Sequence, residues 1–219
     1  VSLHHGSYHN IKSILERYGV QRVNGFILDL GLSSLQLDSD SRGFSFQSDS
    51  ALDMRFDQSQ SETAADILNT LPSPDLANII YEYGQERRSR TIARNIEKCR
   101  PLISVTDLVE AVRRVTPPTH RNRTLARVFQ AIRIKVNSEL DHLNTFLNNF
   151  IEYLTIGGRV AIISFHSLED RQVKHRFKDL DREGRLTILT PKPLIASAEE
   201  IANNRRSKSA KLRVAERES

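Results

Sequence analysis

The chain has 219 residues, enough for one full-sized domain or for one domain that carries a smaller insertion. Its 38% hydrophobic and 27% charged residues are typical of a globular protein, and no apolar run approaches the roughly 20 residues of a membrane-spanning helix. Cys99 is the only cysteine, which excludes an internal disulfide and a cysteine-cluster metal site and favours a cytoplasmic location.

The net charge of +5 is unevenly distributed along the chain. Residues 29–85 include ten acidic and two basic side chains, whereas residues 86–135 include thirteen basic and four acidic ones. Residues 203–219 are basic again, with six basic and two acidic side chains. Such segregation favours a positive face that neutralises phosphates, but solvated helix faces that cancel in three dimensions explain the charges equally well.

The first sixty residues predict a helix, a strand and a long loop. Apolar residues at helical spacing predict an amphipathic helix over residues 9–18, which Gly19 ends. The continuous apolar run at residues 25–30 predicts a strand buried on both faces, as in a parallel sheet covered by helices. Residues 31–58 are rich in Ser, Asp and Gly without periodicity, and we expect a loop that is functional or disordered.

Helical periodicity dominates residues 62–154. Four apolar stripes precede the Pro117-Pro118 pair, and the strongest helix follows Ser138. Ser138 and Asp141 resemble a capping box for this helix, and Gly157-Gly158 is expected to terminate it.

Strands return after this helical stretch. Residues 159–165 predict a second buried strand, followed by a helix whose first turn carries Glu169 and Asp170. Residues 186–189 and 211–215 predict two closing strands. Strands that alternate with helices indicate an α/β fold. Because the helical stretch between the first two strands is far longer than one crossover needs, part of it is expected to be an inserted subdomain.

Asp29 ends the first predicted strand, and in open α/β sheets ligands bind at the carboxyl ends of strands. Its carboxylate is suited to accept hydrogen bonds from an amine or a hydroxyl of a ligand. The alternative is structural, since an acid that ends a strand is more often a loop cap.

His166 follows the second strand and is suited as a proton acceptor or as a hydrogen-bond donor to the edge of a base. The alternative is that His166 is a turn residue and that Glu169 and Asp170 only cap the next helix. A Ser-His-acid hydrolase is disfavoured because the chain has no G-x-S-x-G elbow. No histidine and carboxylate pair has convincing metal-site spacing, so no metal is expected.

Rare sequence strings occur in a fixed order along nearly the whole chain. They are DLGLSSLQLD, RGFSF, LDMR, YGQERRSRTIARNI, FQAIRIKVNSEL, GGRVAIISFHSLEDR and NNRRSKSAKLRVAE. In this order they resemble the ribosomal RNA small subunit methyltransferase H family, also called the MraW family. The resemblance implies transfer of a methyl group from S-adenosylmethionine to the exocyclic N4 amine of a cytidine in the decoding region of small-subunit (16S) rRNA.

The resemblance also implies a fold, a Rossmann-like class I S-adenosylmethionine-dependent methyltransferase with an inserted all-helical subdomain. We expect residues 63–119 to form a helical subdomain that recognises substrate, and residues 1–62 and 120–219 to form the methyltransferase domain. The first strands of the family and its glycine-rich donor loop would lie upstream of Val1, so this chain alone is expected to bind the donor weakly or not at all and to be inactive. The alternative is a non-catalytic RNA-binding fragment. A methyltransferase for amines of DNA or protein is disfavoured by the absence of an N/D-P-P-Y/F motif.

Site residues follow from the same resemblance. Tyr8, Asp29 and Gln36 match positions that bind S-adenosylmethionine, with Tyr8 standing where the family usually has Phe. Physically, the Tyr8 ring could lie on the adenine while the other two side chains hydrogen-bond polar groups of the donor. Candidates for orienting the base during catalysis are Ser33, Ser34 and His166.

RNA contacts are expected from aromatic and basic side chains. Phe44 and Phe46 are candidates to stack on a flipped base, with the equal alternative that they pin the loop to the core. The candidates for phosphate contacts are Arg87, Arg88, Arg90, Arg94, Lys98, Arg121, Arg123, Arg127, Arg205 and Arg206. The expected partner is small-subunit ribosomal RNA or the 30S particle, without a membrane, and the sequence leaves open whether the protein is a homodimer.

Overall fold

The computed structural model describes residues 1–32 and 42–219. Contacts divide the chain into two compact units. The first, called the sheet unit, comprises residues 1–31 and 140–219, and the second, called the helical unit, comprises residues 32–139. Within the described ranges, no helix is both long and apolar enough to cross a membrane.

A mixed β-sheet is the centre of the sheet unit. The order of its strands is β1-β2-β5-β3, and β4 pairs with β5 beside β3. The first pair is parallel, whereas β5 runs antiparallel to β2, β3 and β4. The strands are β1 (Val23–Asp29), β2 (Leu154–Ser164), β3 (Leu186–Ile188), β4 (Leu194–Ile195) and β5 (Lys211–Arg217).

Helices supply the rest of the core of the sheet unit. Three phenylalanines form its centre: Phe146 stacks on Phe150 with ring centroids 5.6 Å apart, and Phe150 contacts Phe177. All three are at most 1% exposed and share one cluster with strand residues such as Val160 and Ile162. The helices are α1 (Ile11–Arg17), α7 (Glu139–Tyr153), α8 (Ser167–Arg182) and α9 (Ala198–Asn203), numbered with those of the helical unit in chain order.

The expectation that the first strand is buried on both faces is wrong. Ile27 is 84% exposed, although Leu28 on the other face is buried. Among the described residues β1 pairs only with β2 and lies at the edge of the sheet, and helices pack only on its Leu28 face. No described side chain covers the Ile27 face.

The predicted stop at Gly157-Gly158 is also wrong. Helix α7 ends at Tyr153, and both glycines belong to β2, where Gly157 has a φ of +72°. Ser138 does not begin a capping box but adopts a left-handed conformation (φ 47°) that caps the preceding helix. The two predicted closing strands are confirmed as β3 and β5, while β4 was not predicted.

Among its described residues, the helical unit has five helices, and the longest of them is α6 (Arg121–Asn137). Side chains of α6, among them Leu125, Phe129 and Ile132, lie in a core shared with the other four helices. Two of these helices begin with capping boxes, α2 at Thr63 with Asp66 and α5 at Ser104 with Asp107. The pKa values of both aspartates are lowered, because hydrogen bonds from Thr63 and from Ser104 stabilise the carboxylates. The helices are α2 (Ala64–Thr70), α3 (Ser73–Gly84), α4 (Ser89–Lys98), α5 (Val105–Arg114) and α6 (Arg121–Asn137).

A long irregular segment, residues 42–62, belongs to the same core as these helices. Phe44, Leu52 and Met54 are buried in it, and Met54 is held in a left-handed conformation with a φ of 58°. The buried amide of Asn137 donates to the carbonyl of Met54 at 2.7 Å and accepts from the backbone of Phe56 at 2.6 Å. The helical unit therefore includes packed loop residues on the amino-terminal side of the predicted 63–119 insertion and also the whole of α6.

Two strings that carried the family resemblance stabilise this segment. In LDMR, the Arg55 guanidinium donates to both carboxylate oxygens of Asp53, at 2.7 and 3.0 Å, and its hydrogen bond holds the pKa of Asp53 below its ordinary value. In RGFSF, Arg42 donates to the carbonyls of Arg55 and Phe56. Arg42 thus satisfies backbone carbonyls that a long loop would otherwise leave without partners.

Candidate active site and RNA-contact surfaces

The sheet unit brings Asp29 and His166 to one edge. Strands β1 and β2 are parallel, and Asp29 lies opposite Ile163, three residues before His166. The carboxyl ends of both strands therefore point in the same direction, where open α/β sheets bind ligands.

Asp29 is exposed at this edge. Its Oδ1 accepts a hydrogen bond from the backbone of Gly31 at 3.0 Å, which makes part of the carboxylate a loop cap, as the structural alternative predicted. Its Oδ2 has no partner among the described residues. A Cβ at position 31 would lie 2.6 Å from the Phe165 ring, so a larger residue there would force this ring to shift.

Tyr8 lies close to the same strand. Its ring is half-buried and meets Phe146 edge to face, with centroids 5.9 Å apart. Phe26 of β1 meets the same Phe146 ring at 5.6 Å. Phe146 therefore connects Tyr8 to the strand that ends in Asp29.

His166 caps helix α8 and is largely enclosed. Its Nδ1 accepts from the backbone of Glu169 at 3.4 Å, while the Glu169 carboxylate accepts from the backbone of Phe165 and His166. The His166 Nε2 lies 3.2 Å from Glu169 Oε1, and the two side chains are 8% and 4% exposed. The hydrogen bond to Nδ1 supports the structural alternative for His166, whereas Nε2 is buried and forms no hydrogen bond with a described residue despite its distance from Glu169.

Asp170 ties α8 to the sheet. It accepts from Arg213 at 2.7 Å and from Lys211 at 3.3 Å, both on β5. Burial alone would raise the pKa of Asp170, but the hydrogen bonds and charges of Arg213 and Lys211 outweigh burial and hold the pKa below its ordinary value. Asp170 is thus more than a helix cap, which the sequence did not reveal because the partners lie about forty residues further along the chain.

Three predicted site residues, Ser33, Ser34 and Gln36, lie outside the described residues. Their assignments to the donor and the base stay predictions.

The two candidate stacking residues differ. Phe44 is buried, stacks on Phe56 with centroids 5.7 Å apart, and has the Arg42 guanidinium 5.6 Å from its ring centroid. The burial of Phe44 supports the alternative that its ring pins the loop to the core, and its stacking on a base stays a prediction. Phe46 is half-buried, meets Phe129 at 5.9 Å, and lines a cavity of about 430 Å³ in the helical unit.

Helix α4 presents a row of basic side chains. Ile92 and Ile96 are fully buried, whereas Arg90, Arg94 and Lys98 are exposed at successive four-residue steps. Arg90 and Arg94 line a groove of about 380 Å³ beside the start of α3. None of these three cations forms an ion pair with a described carboxylate.

Other predicted phosphate contacts have varied surroundings. Arg127 lies 3.4 Å from the buried Glu86 carboxylate and is partly neutralised by it. Arg121 is half-buried and donates to the carbonyl of Thr116. The remaining five candidates are exposed: Arg87, Arg88, Arg123, Arg205 and Arg206.

Comparison with known proteins identifies the family. A sequence model of the MraW methylase family matches residues 1–218. The chain belongs to the MraW methylase family.

Curated relatives agree with this assignment. The chain is 50% identical to the ribosomal RNA small subunit methyltransferase H of Kosmotoga olearia, over 99% of the chain and 74% of that relative. Identity to the protein of the same name from Thermosipho africanus is 47%, over 99% of the chain and 75% of the relative. The match to that of Synechococcus elongatus is 51% identical over 91% of the chain and 67% of the relative. The chain thus spans about three quarters of the first two relatives.

The MraW family uses S-adenosylmethionine as its methyl donor, and the described residues suit such a ligand. Asp29 offers an exposed carboxylate oxygen at a strand end, and Gly31 lets the chain turn closely behind it. Tyr8 offers part of an aromatic ring beside the same strand. These groups match the hydrogen-bond donors and the planar ring of the ligand.

Proposed function

We propose that this MraW family member methylates the N4 amine of a cytidine in the decoding region of small-subunit rRNA, with S-adenosylmethionine as the donor. The observation that carries the proposal is the parallel pairing of β1 and β2, which sets Asp29 and the Phe165-His166 turn at one sheet edge. The coarser part, methylation of ribosomal RNA, is supported by relatives whose names state that activity.

The methyl donor binds at the carboxyl end of β1 in the sheet unit. The Asp29 carboxylate accepts hydrogen bonds from the donor, and Tyr8 contacts its planar ring. Gln36 contributes a further amide as the family resemblance implies. Bound S-adenosylmethionine supplies an electrophilic methyl group.

The chemical difficulty is the amine, whose lone pair is delocalised into the cytosine ring. The protein must take the base out of its stack and hold the amine in line with the methyl group. An acceptor that binds the amine hydrogens favours the charge that develops on nitrogen. Ser33 and Ser34 are proposed for this role, and His166, whose Nδ1 accepts from the backbone of Glu169, is proposed to act by positioning the strand end.

Exposed arginine and lysine side chains contact the RNA. The row Arg90, Arg94 and Lys98 matches the spacing of a helix face that lies along a phosphate backbone, and the groove beside it is bordered by two guanidinium groups. Small-subunit rRNA, free or in the 30S particle, is the proposed partner.

Asp29→Asn in the complete gene product tests the donor site. Loss of a charged acceptor is expected to weaken S-adenosylmethionine binding about tenfold, measured by isothermal titration. The unfolding free energy should change by less than about 0.5 kcal/mol, because Asp29 is exposed. Asp181→Asn, an exposed acid on α8, is the matched control and should leave donor affinity unchanged.

The reaction is tested with labelled donor on 16S rRNA, 30S particles, DNA and protein. Label at N4 of a single cytidine of the rRNA is the expected result. Transfer to DNA or protein instead would contradict the substrate, and RNA binding without transfer to any substrate would favour the non-catalytic alternative.

A further inference from the structure

The helical unit has a cavity whose lining residues are not among those proposed to bind the methyl donor. It measures about 430 Å³, within the range of about 300–1,000 Å³ typical of small-molecule sites. Residues of the 42–62 segment form one wall, and residues of α5 and α6 form the other. Its floor includes Val109, which is 6% exposed.

We propose that this cavity binds one unpaired nucleobase of the RNA, an inference that rests on RNA being the proposed substrate. Phe46 is the stacking group. Its ring packs on Phe129 with an interplanar angle of 70° and still borders the cavity, whereas the neighbouring Phe44 is covered by Phe56 and Arg42. Aromatic rings of this kind hold single-stranded bases because every base has a π-face.

The polar lining suits the edge of a base. Gln47 and Asn122 are exposed, and their side-chain amides have no partner among the described residues. An amide offers both a donor and an acceptor, as the hydrogen-bonding edge of a base does.

The charged side chains that line the cavity determine whether the base or the phosphate of a nucleotide enters it. Asp49 and Glu110 line the cavity, and their carboxylates would repel a phosphate inside it, while they can accept from the exocyclic amine of a base. The Arg113 guanidinium also borders the cavity, is exposed, and pairs with no described carboxylate. The base therefore lies inside and its phosphate lies against Arg113.

Phe46→Leu separates base contacts from phosphate contacts. The probes are fluorescein-labelled oligocytidine and a ribose-phosphate chain of equal length without bases, measured by fluorescence anisotropy without methyl donor. Wild-type protein should prefer oligocytidine, and Phe46→Leu should lower its oligocytidine affinity about tenfold while leaving affinity for the abasic chain unchanged.

Matched variants exclude a folding effect. Phe56→Leu changes another partly exposed phenylalanine away from the cavity and should keep the preference for oligocytidine. Arg113→Gln should weaken both probes equally and reduce the salt slope by about one phosphate contact. Equal binding of the two probes by wild-type protein, or an unchanged preference in Phe46→Leu, would overturn the proposal. Because no methyl transfer is measured, this result is independent of whether the catalytic assignment holds.

Discussion

Residues 86–135 and residues 203–219 are both rich in basic residues, but the surroundings of the basic side chains differ between the two segments. In the helical unit, Arg90 and Arg94 on α4 are exposed and have no described carboxylate partner. In the sheet unit, Arg213 on β5 is 6% exposed and bonds Asp170, and Arg217 is 8% exposed and donates to the backbone carbonyls of Ile151 and Leu154.

The difference shows that the number of basic residues in a segment does not measure its capacity to bind phosphate. A guanidinium that is buried and already bonded to carboxylates or carbonyls contributes to folding, because removing its partners leaves an uncompensated charge. A guanidinium on an exposed helix face keeps its donors for a ligand. We therefore expect α4 to contribute more to RNA affinity than β5.

Asp170→Asn should give the largest effect and should act on stability alone. It leaves the buried Arg213 without its carboxylate, which we expect to cost about 2–3 kcal/mol in urea unfolding at neutral pH. The matched control is Asp179→Asn on the same helix, whose pair with Arg182 is exposed and should be worth less than about 0.5 kcal/mol. A comparable loss of RNA affinity per folded molecule would instead show that Asp170 also contributes to RNA binding.

The same variant has a defined pH dependence. The folded protein lowers the pKa of Asp170, so its stabilisation is present above the unfolded pKa of about 3.9 and is lost as the pH falls through the folded value. The difference in unfolding free energy between wild type and Asp170→Asn should therefore shrink in acid. A difference in unfolding free energy that stays constant as the pH falls would show that the ionised carboxylate of Asp170 is not its cause.

The triple variant Arg90→Gln, Arg94→Gln, Lys98→Gln should give the next largest effect, on binding alone. Loss of up to three phosphate contacts should weaken RNA binding about 10- to 100-fold and make the salt dependence shallower by about 2–3 in log–log slope. The control removes three exposed charges from α8 with Arg171→Gln, Lys174→Gln and Lys178→Gln. Equal effects of the two triple variants would mean that net charge, and not the α4 face, determines affinity.

His166→Asn should give the smallest effect. Asparagine is a good N-cap, so it should replace the acceptor for the Glu169 backbone and change the unfolding free energy by less than about 0.5 kcal/mol, whereas alanine should cost about 1 kcal/mol. If His166 only positions the strand end, the asparagine variant should keep the wild-type pH profile of methyl transfer. A profile that loses one ionisation would instead assign a proton-transfer role to His166.

Much of the fold could be predicted from local pattern. The apolar runs and helical stripes gave β1, β2, β5 and the helices α7 and α8, because their periodicity and length are strong signals. The burial of β1 could not be predicted, since an apolar run does not reveal whether a neighbour covers it. Strand β4 has only two residues and leaves no periodicity to read.

The candidate site was predicted in part. Parallel strands imply a shared edge, so Asp29 and His166 could be placed together from the sequence. The environment of His166 could not, because a cap and a catalytic base look alike in a sequence. The difference between Phe44 and Phe46 depends on how Phe56 and Phe129 pack, which two aromatic residues separated by one position in a loop do not reveal.

The hydrogen bonds from Asn137 to the backbone of Met54 and Phe56 have a consequence for the kinetics of recognition. They fasten the backbone at Met54 and Phe56 to the carboxyl end of α6, which restricts the irregular segment that also carries Phe46. If the loop is already ordered, binding does not incur the entropic cost of ordering it. The association rate is then limited by diffusion and by electrostatic attraction. Loosening that attachment should slow capture of a nucleotide more than it hastens release.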